Sequence, residues 1–364
     1  MKPHSADERW MRLALSLGAR GLGRTWPNPA VGCVIVKEGR VLGRGWTHPT
    51  GRPHAERVAL AQAGDAARGA TAYVTLEPCA HTGKTTPCAD ALVVAGIARV
   101  VCATGDPDDR VAGKGYDILR AAGVQVDIGV LQAEADDANQ GFFSRITQNR
   151  PMVTLKLASS LDAKIATKTG ESQWITGAKA RAYVHYLRAT HDAVMVGSGT
   201  SVADDPSLTV RLSGLEDHHP VRIIVDSNLS TPSDSVLGRT ADKIPVWMCH
   251  GSGANTNDWD RTKAKLIPCD LDNGHVSLTD AMTKIAAEGI TRVFCEGGGK
   301  LAAGLITAGL VDRLITMTAG VAIGADGTPN LAALGVTRLN EAPKFQMHSH
   351  RQIGDDLMVE WRKA

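Results

Sequence analysis

The chain has 364 residues, with 40 Lys and Arg against 38 Asp and Glu and a formal net charge of +2. That length exceeds one ordinary core and predicts two domains; balanced charge, without a basic run or basic residues interleaved with aromatics, argues against a nucleic-acid partner. No apolar stretch is long enough to cross a bilayer, and 43% hydrophobic with 21% charged residues suits a soluble globular protein. Few aromatics and abundant Gly and Ala favour layered α/β packing. Seven scattered cysteines, odd in number, argue against a disulfide framework, and the charged start "MKPHSADERWMRLAL" lacks the apolar core of a signal peptide. A reducing cytoplasm is the expected setting.

In chain order, residues 6–20 predict a helix, followed by a Pro/Gly turn, "WPNPAVG". "CVIVKEGRVLGRGW" predicts a hairpin turning at Gly39. "HAERVALAQAG" reads as a helix ending at Gly64, and "ATAYVTLEPC" as a strand entering a loop. "TTPCADALVVAG" predicts a helix with Thr86 as N-cap and Pro87 in its first turn. A strand ("ARVVCATGDP"), a helix ("GYDILRAAG") and a strand ("VQVDIGV") follow, the alternation of an α/β sandwich. A boundary is expected at the polar "GFFSRITQNRP". Beyond it come a strand, "MVTLKLASSLD", and an amphipathic helix capped by Thr176. "DAVMVGSGT", "VRIIVDSN" and "IPVWMCH" read as buried strands, "SLTDAMTKIAAEG" as a helix. "ITRVFCEGGG" is a strand with a glycine loop and "KLAAGLITAG" a helix, while "DRLITMTAG" and "DDLMVEWR" complete a second sheet.

His54, Cys79 and Cys88 supply the three nitrogen or sulfur donors of a catalytic zinc site, with one position open for water. Glu56, two residues from His54, can stand beside the metal without ligating it and move a proton from water to a leaving amine. Cys88 falls in a helix's first turn, where the macrodipole favours the thiolate. Asn28, on the "WPNPAVG" turn, could present its amide to a heterocycle. A closed structural zinc clip is the competing reading; His81 offers it a fourth donor, but Glu56 would then be idle. The deaminase signature is H-x-E followed by P-C-x-x-C. Here "HAE" and "PC" are kept, and eight residues, "AHTGKTTP", part the cysteines. That insert, with Lys84 and Thr85, would overhang the open position as a phosphate or ribose clamp.

"HAE", "TLEPCAHTGKTTPC", "NPAVGCVIV" and "GDPDDRVAGKG" together resemble the deaminase half of the bifunctional riboflavin-biosynthesis deaminase/reductases. That family's loop usually has two prolines before the second cysteine; Thr86 stands in place of the first. In the second half, "EGGGKLAAG" offers free amides that could cradle a phosphate, without the dinucleotide G-x-G-x-x-G spacing. "LKLASSLDAKIAT", "GESQWIT", "LRATHDAVMVGSGTSVADDPSLTVR", "IIVDS" and "EGGGKLAAGLI" resemble the reductase half, so the likeness spans nearly the whole chain. Where the family commonly has glycine after "SLD", this chain has Ala163.

The resemblance implies a cytidine-deaminase-like α/β/α sandwich over 1–147 and a dihydrofolate-reductase-like α/β domain over 148–364. It implies zinc and NADPH as cofactors and a homo-oligomer, dimer or tetramer. Cofactor contacts carry over to Ala158, Trp174, Thr200, Asp204, Ser227 and the loop Gly298, Gly299, Lys300, Leu301, Ala302, Ala303 and Gly304. Substrate contacts carry over to Ser172, Arg188, Leu208, Arg211 and Glu296. The two arginines can bind a sugar phosphate, and Glu296 can accept from hydroxyls or ring nitrogens. Lys156, on the first strand of this half, is a candidate to polarise the opened ribose. The implied substrate is 2,5-diamino-6-ribosylamino-4(3H)-pyrimidinone 5′-phosphate. It would be deaminated hydrolytically, then reduced at C1 of its sugar to 5-amino-6-ribitylamino-uracil 5′-phosphate. Two other readings stand beside this one. The first is a nucleoside or base deaminase with a nucleotide-binding regulatory domain; the second is a non-enzymatic structural zinc fold that regulates a partner.

Overall fold

The computed structural model describes residues 6–81 and 86–364; Lys84 and Thr85 lie outside them. The chain forms two compact units, Met1–Gln148 and Asn149–Ala364.

The first unit comprises α1 (Ala6–Gly18), β1 (Gly32–Lys37), β2 (Arg40–Trp46), α2 (Ala55–Ala63), β3 (Thr71–Val74), α3 (Cys88–Val94), β4 (Arg99–Cys102), α4 (Lys114–Ala121), β5 (Gln125–Ile128) and α5 (Gln132–Gln148). The sheet order is β2-β1-β3-β4-β5. The β1–β2 hairpin turns at Gly39 (φ 72°), and β3, β4 and β5 run parallel. Alternation along β1 sends Cys33 and Ile35 to α2, α3 and α4, and Val34 and Val36 to α1. Helix α2 sits unusually close to the hairpin. A Cβ on Gly43 would lie 2.0 Å from the Ala59 carbonyl oxygen, and one on Gly45 2.3 Å from that of Ala55. These glycines let the helix that starts just after His54 rest directly on the strand.

The second unit comprises β6 (Met152–Ser160), β7 (Lys164–Ala166), α6 (Ala178–Ala189), β8 (Ala193–Gly197), α7 (Ser198–Asp204), β9 (Val221–Val225), α8 (Val236–Arg239), β10 (Val246–Gly251), β11 (Lys265–Cys269), β12 (Leu271–Asp272), β13 (His275–Val276), α9 (Leu278–Ala287), β14 (Arg292–Gly297), α10 (Gly299–Thr307), β15 (Arg313–Ala319), β16 (Thr328–Pro329), β17 (Phe345–Ile353) and β18 (Asp356–Lys363). Nine strands make its sheet, ordered β11-β10-β9-β8-β14-β6-β15-β18-β17. From β11 to β15 neighbours are parallel; β18 and β17 add an antiparallel margin. Parallel strands with covered faces read as continuous apolar runs, which is why β8 to β10 were visible as strings of Val, Ile and Met.

Two local expectations are corrected. Helix α3 begins at Cys88 with Pro87, not Thr86, in the N-cap position. Gly177, not Thr176, precedes α6; its N–H donates to Asp356 Oδ2 at 2.7 Å, while the Thr176 carbonyl accepts from Arg181 Nη1 at 2.6 Å. The segment read as a boundary holds the end of α5 and, directly after it, the division between the two units at Gln148 and Asn149.

Candidate functional site

Helix α2 starts where His54, still extended at φ −71° and ψ 158°, takes the N-cap position. Glu56 therefore falls in the first helical turn, only 3% exposed. Cys79 follows β3, and Cys88 opens α3. Two bonds tie the cysteines: Ala89 N–H donates to the Cys79 carbonyl and Cys88 N–H to Cys79 Sγ, each at 3.3 Å. His54 Nδ1 lies 3.6 Å from Cys79 Sγ and 3.4 Å from Cys88 Sγ. The three donor atoms lie within 4.8 Å of one another. Zinc bonds of about 2.3 Å to sulfur and about 2.0 Å to nitrogen, at a tetrahedral angle, would hold S and N about 3.5 Å apart. The donors fit that ion in kind and in spacing. No fourth His, Cys, Asp or Glu joins them among the described residues. His81 stays outside the group, and its Nδ1 is buried without a hydrogen-bond partner among those residues.

The electrostatics of this centre follow from burial and proximity. Burial pushes the Glu56 carboxyl above the ordinary carboxylate range, and Cys79 adds to the effect. The Cys79 thiol is held down to about 4, first by its hydrogen bond with Cys88 and then by His54. That same bond, with burial, pushes the Cys88 thiol up. Glu77, 4% exposed, accepts the N–H groups of Gly113 at 3.1 Å and Gly115 at 3.0 Å, fixing the "GDPDDRVAGKG" loop after β4. In that loop burial pushes Asp106 up to about 6. Asn28 is half-buried against Gly51, on the turn that leads into His54.

In the second unit two contiguous cavities, of about 820 Å³ and about 610 Å³, open beyond the C-terminal ends of the parallel strands. That edge is where open α/β sheets bind ligands. The larger is walled by Ala158, Thr200, Asp204, Ser227, Gly298, Gly299, Lys300, Leu301 and Gly304. Gly298 has φ 98°, and a Cβ there would meet Thr200 Oγ1 at 2.9 Å. Only glycine gives this cradle both its backbone and its space. Ala302 and Ala303 are buried on α10 and lie outside the cavity wall, because the helical period turns them toward the core while 300, 301 and 304 face outward.

The smaller cavity is walled by Trp174, Arg188, Leu208 and Arg211, and shares Lys156, Ala158, Ser172, Thr200, Asp204 and Glu296 with the larger. Arg188, expected to bind a sugar phosphate, is engaged within the protein. Its Nε and Nη2 grip the Glu296 carboxylate, the latter at 3.0 Å, and Nη1 donates to the Thr209 carbonyl at 2.8 Å. Burial alone would raise Glu296, but Arg188 more than offsets it and the carboxyl falls below the usual range. Burial lowers the Lys156 ammonium, with Glu296 opposing. Leu208 is held at φ 53° in the same wall. Sequence reasoning missed Arg181 and His185, which line this cavity beside Arg188. Their spacing of four and three along one helix was the available signal.

Fold and sites together define a class: a hydrolytic deaminase and an oxidoreductase carried on one chain. Residues 4–104 match the cytidine and deoxycytidylate deaminase zinc-binding region, and residues 151–359 match the RibD C-terminal domain. The riboflavin biosynthesis protein RibD of Escherichia coli is 41% identical over 366 residues, covering 97% of this chain and 98% of its own. That of Aquifex aeolicus is 40% identical, covering 98% of each. Among solved structures, Acinetobacter baumannii RibD superposes with a TM-score of 0.89 at 36% identity, over 98% of this chain and 99% of that one. The Thermotoga maritima diaminohydroxyphosphoribosylaminopyrimidine deaminase/5-amino-6-(5-phosphoribosylamino)uracil reductase gives 0.86 at 34%, with the same coverage. The chain belongs to the RibD family, the bifunctional deaminase/reductases of riboflavin biosynthesis. No helix among the described residues is long and apolar enough to cross a membrane.

Proposed function

We propose that residues 1–147 deaminate 2,5-diamino-6-ribosylamino-4(3H)-pyrimidinone 5′-phosphate and that residues 148–364 reduce its ribosyl group to ribityl with NADPH. His54, Cys79 and Cys88 hold zinc, which when bound supplies an acidified water as nucleophile at neutral pH. Glu56 takes a proton from that water and delivers it to the departing amine. Asn28 orients the ring. The observation that carries the reading is Glu56 itself: buried beside the three donors yet not among them, it is idle in a closed zinc clip and required in a hydrolase.

In the second unit Gly298, Gly299, Lys300, Leu301 and Gly304, with Ala158, Thr200, Asp204 and Ser227, hold the dinucleotide; Trp174 walls the adjoining cavity. The cofactor carries the hydride, so the protein's share is orientation and electrostatics. Arg188 holds Glu296 in place to accept from the substrate, and Ser172 and Leu208 bound the substrate's cavity. The Arg211 side chain, exposed at the rim, is left to meet the phosphate. Lys156 donates toward the oxygen of the opened ribose. The long exposed edge of β17, with Met347 59% exposed, supports a homo-oligomer of dimer or tetramer size. Seven free thiols support a reducing cytoplasm.

Mass spectrometry of the products tests the reading. Amine-to-oxo exchange without NADPH, and two further hydrogens once NADPH is added, are expected. Deamination alone would reduce the second unit to a binding domain, and no turnover by zinc-loaded protein would overturn the substrate.

A further inference from the structure

The first turn of α2 carries, next to Glu56, an arginine that the reaction does not use. Arg57 Nη2 donates to the Thr86 carbonyl at 2.7 Å and also to the Thr86 hydroxyl. Its Nε is buried without a hydrogen-bond partner, so the side chain is committed to this one reach. Among the described residues, the hydrogen bonds that join α2 to the chain entering α3 both come from Arg57. On its other side Cys88 is already tied to Cys79. Beside the direct contacts of His54 with both sulfurs, the centre thus has two further ties: one binds cysteine to cysteine, and the other binds the segment before Cys88 to the helix that presents His54.

We propose that Arg57 is a positioning residue for the metal centre: by holding Thr86 it sets how Pro87 and Cys88 approach His54. Thr86 precedes a proline and is therefore confined to extended or polyproline conformations. What remains free is its φ, and the clamp on its carbonyl and hydroxyl removes that freedom. A proline at 86 would fix that angle covalently, near φ −65°. The Arg57 clamp and a proline at 86 are thus two solutions to one problem, and either should substitute for the other.

The test uses the full-length zinc-loaded chain and reads zinc release to a chromogenic chelator, with deamination kcat and KM beside it. Reduction by the second unit serves as the control for folding. Arg57→Val is expected to speed zinc release about tenfold, the lower end of the scale of a lost charge-assisted hydrogen bond. It should lower kcat with little change in KM and leave reduction intact. Adding Thr86→Pro to Arg57→Val should restore both zinc release and kcat. Thr86→Val should show a smaller effect alone and none on top of Arg57→Val, which keeps the idea testable if the proline variant folds poorly. Unchanged zinc release in Arg57→Val, or additive effects of Arg57→Val and Thr86→Val, would overturn the positioning role. The proposal rests on His54, Cys79 and Cys88 being the zinc ligands; a wild-type chain isolated without zinc would overturn that assignment and the proposal with it.

Discussion

In the first unit the candidate reactive groups arrive on three short pieces of chain: His54 and Glu56 at the start of one helix, Cys79 after a strand, Cys88 at the start of another helix. In the second unit no such cluster occurs among the described residues, and the walls of two large cavities are drawn from strand ends, glycine turns and one face of α6. The difference follows from the chemistry each performs. Hydrolysis needs an electrophile and a proton carrier set at points, so a few side chains suffice and must be buried to tune them. Hydride transfer borrows its reactivity from a cofactor and asks the protein for a shaped surface, much of it backbone. The first site is dense and fragile to chemistry; the second is broad and fragile to shape.

Substitutions can press on each half of that contrast. Glu56→Gln keeps the shape and removes the proton carrier; deamination should fall about 10³-fold, with zinc retained by metal analysis and reduction unchanged. Loss of zinc instead would make Glu56 part of the scaffold. Gly298→Val does the converse, adding bulk at φ 98° against Thr200. The KM for NADPH should rise roughly tenfold to hundredfold with deamination untouched. Arg211→Ala should raise the KM of the reduction substrate about tenfold and spare deamination, the cost of one charged contact to phosphate. The smallest effect belongs to Ala163, which sits at φ 61° where a side chain is strained. Ala163→Gly should stabilise the chain by about 0.5 kcal/mol, measured by thermal unfolding, since relief of about 1–2 kcal/mol is partly cancelled by glycine's freedom in the unfolded state.

Legibility in the sequence tracked the same divide. The H-x-E pattern and the two cysteines could be read because side-chain chemistry at fixed spacing survives in one dimension. So could the parallel strands, as apolar runs. Helix α5 was hidden because its buried face is Ala135, Asn139, Gly141, Phe142 and Ser144, small and polar residues that make no apolar period. Strand β17 was hidden because seven consecutive residues, Gln346 to Gln352, are exposed and nothing enforces alternation. Arg188 looked available to a sugar phosphate because its partner Glu296 lies 108 positions away. The cavity walls were legible only through family likeness, and Ala302 and Ala303 show the limit of carrying a loop over whole: a contiguous stretch of sequence includes residues that the helix turns inward.

The two compact units meet at a peptide bond between Gln148 and Asn149. Every deaminating centre is therefore synthesised with one reducing centre, whatever the level of expression. Their ratio cannot drift as that of two separate proteins can. Throughput is then governed by whichever turnover is slower, and a cell can raise or lower the two steps only together.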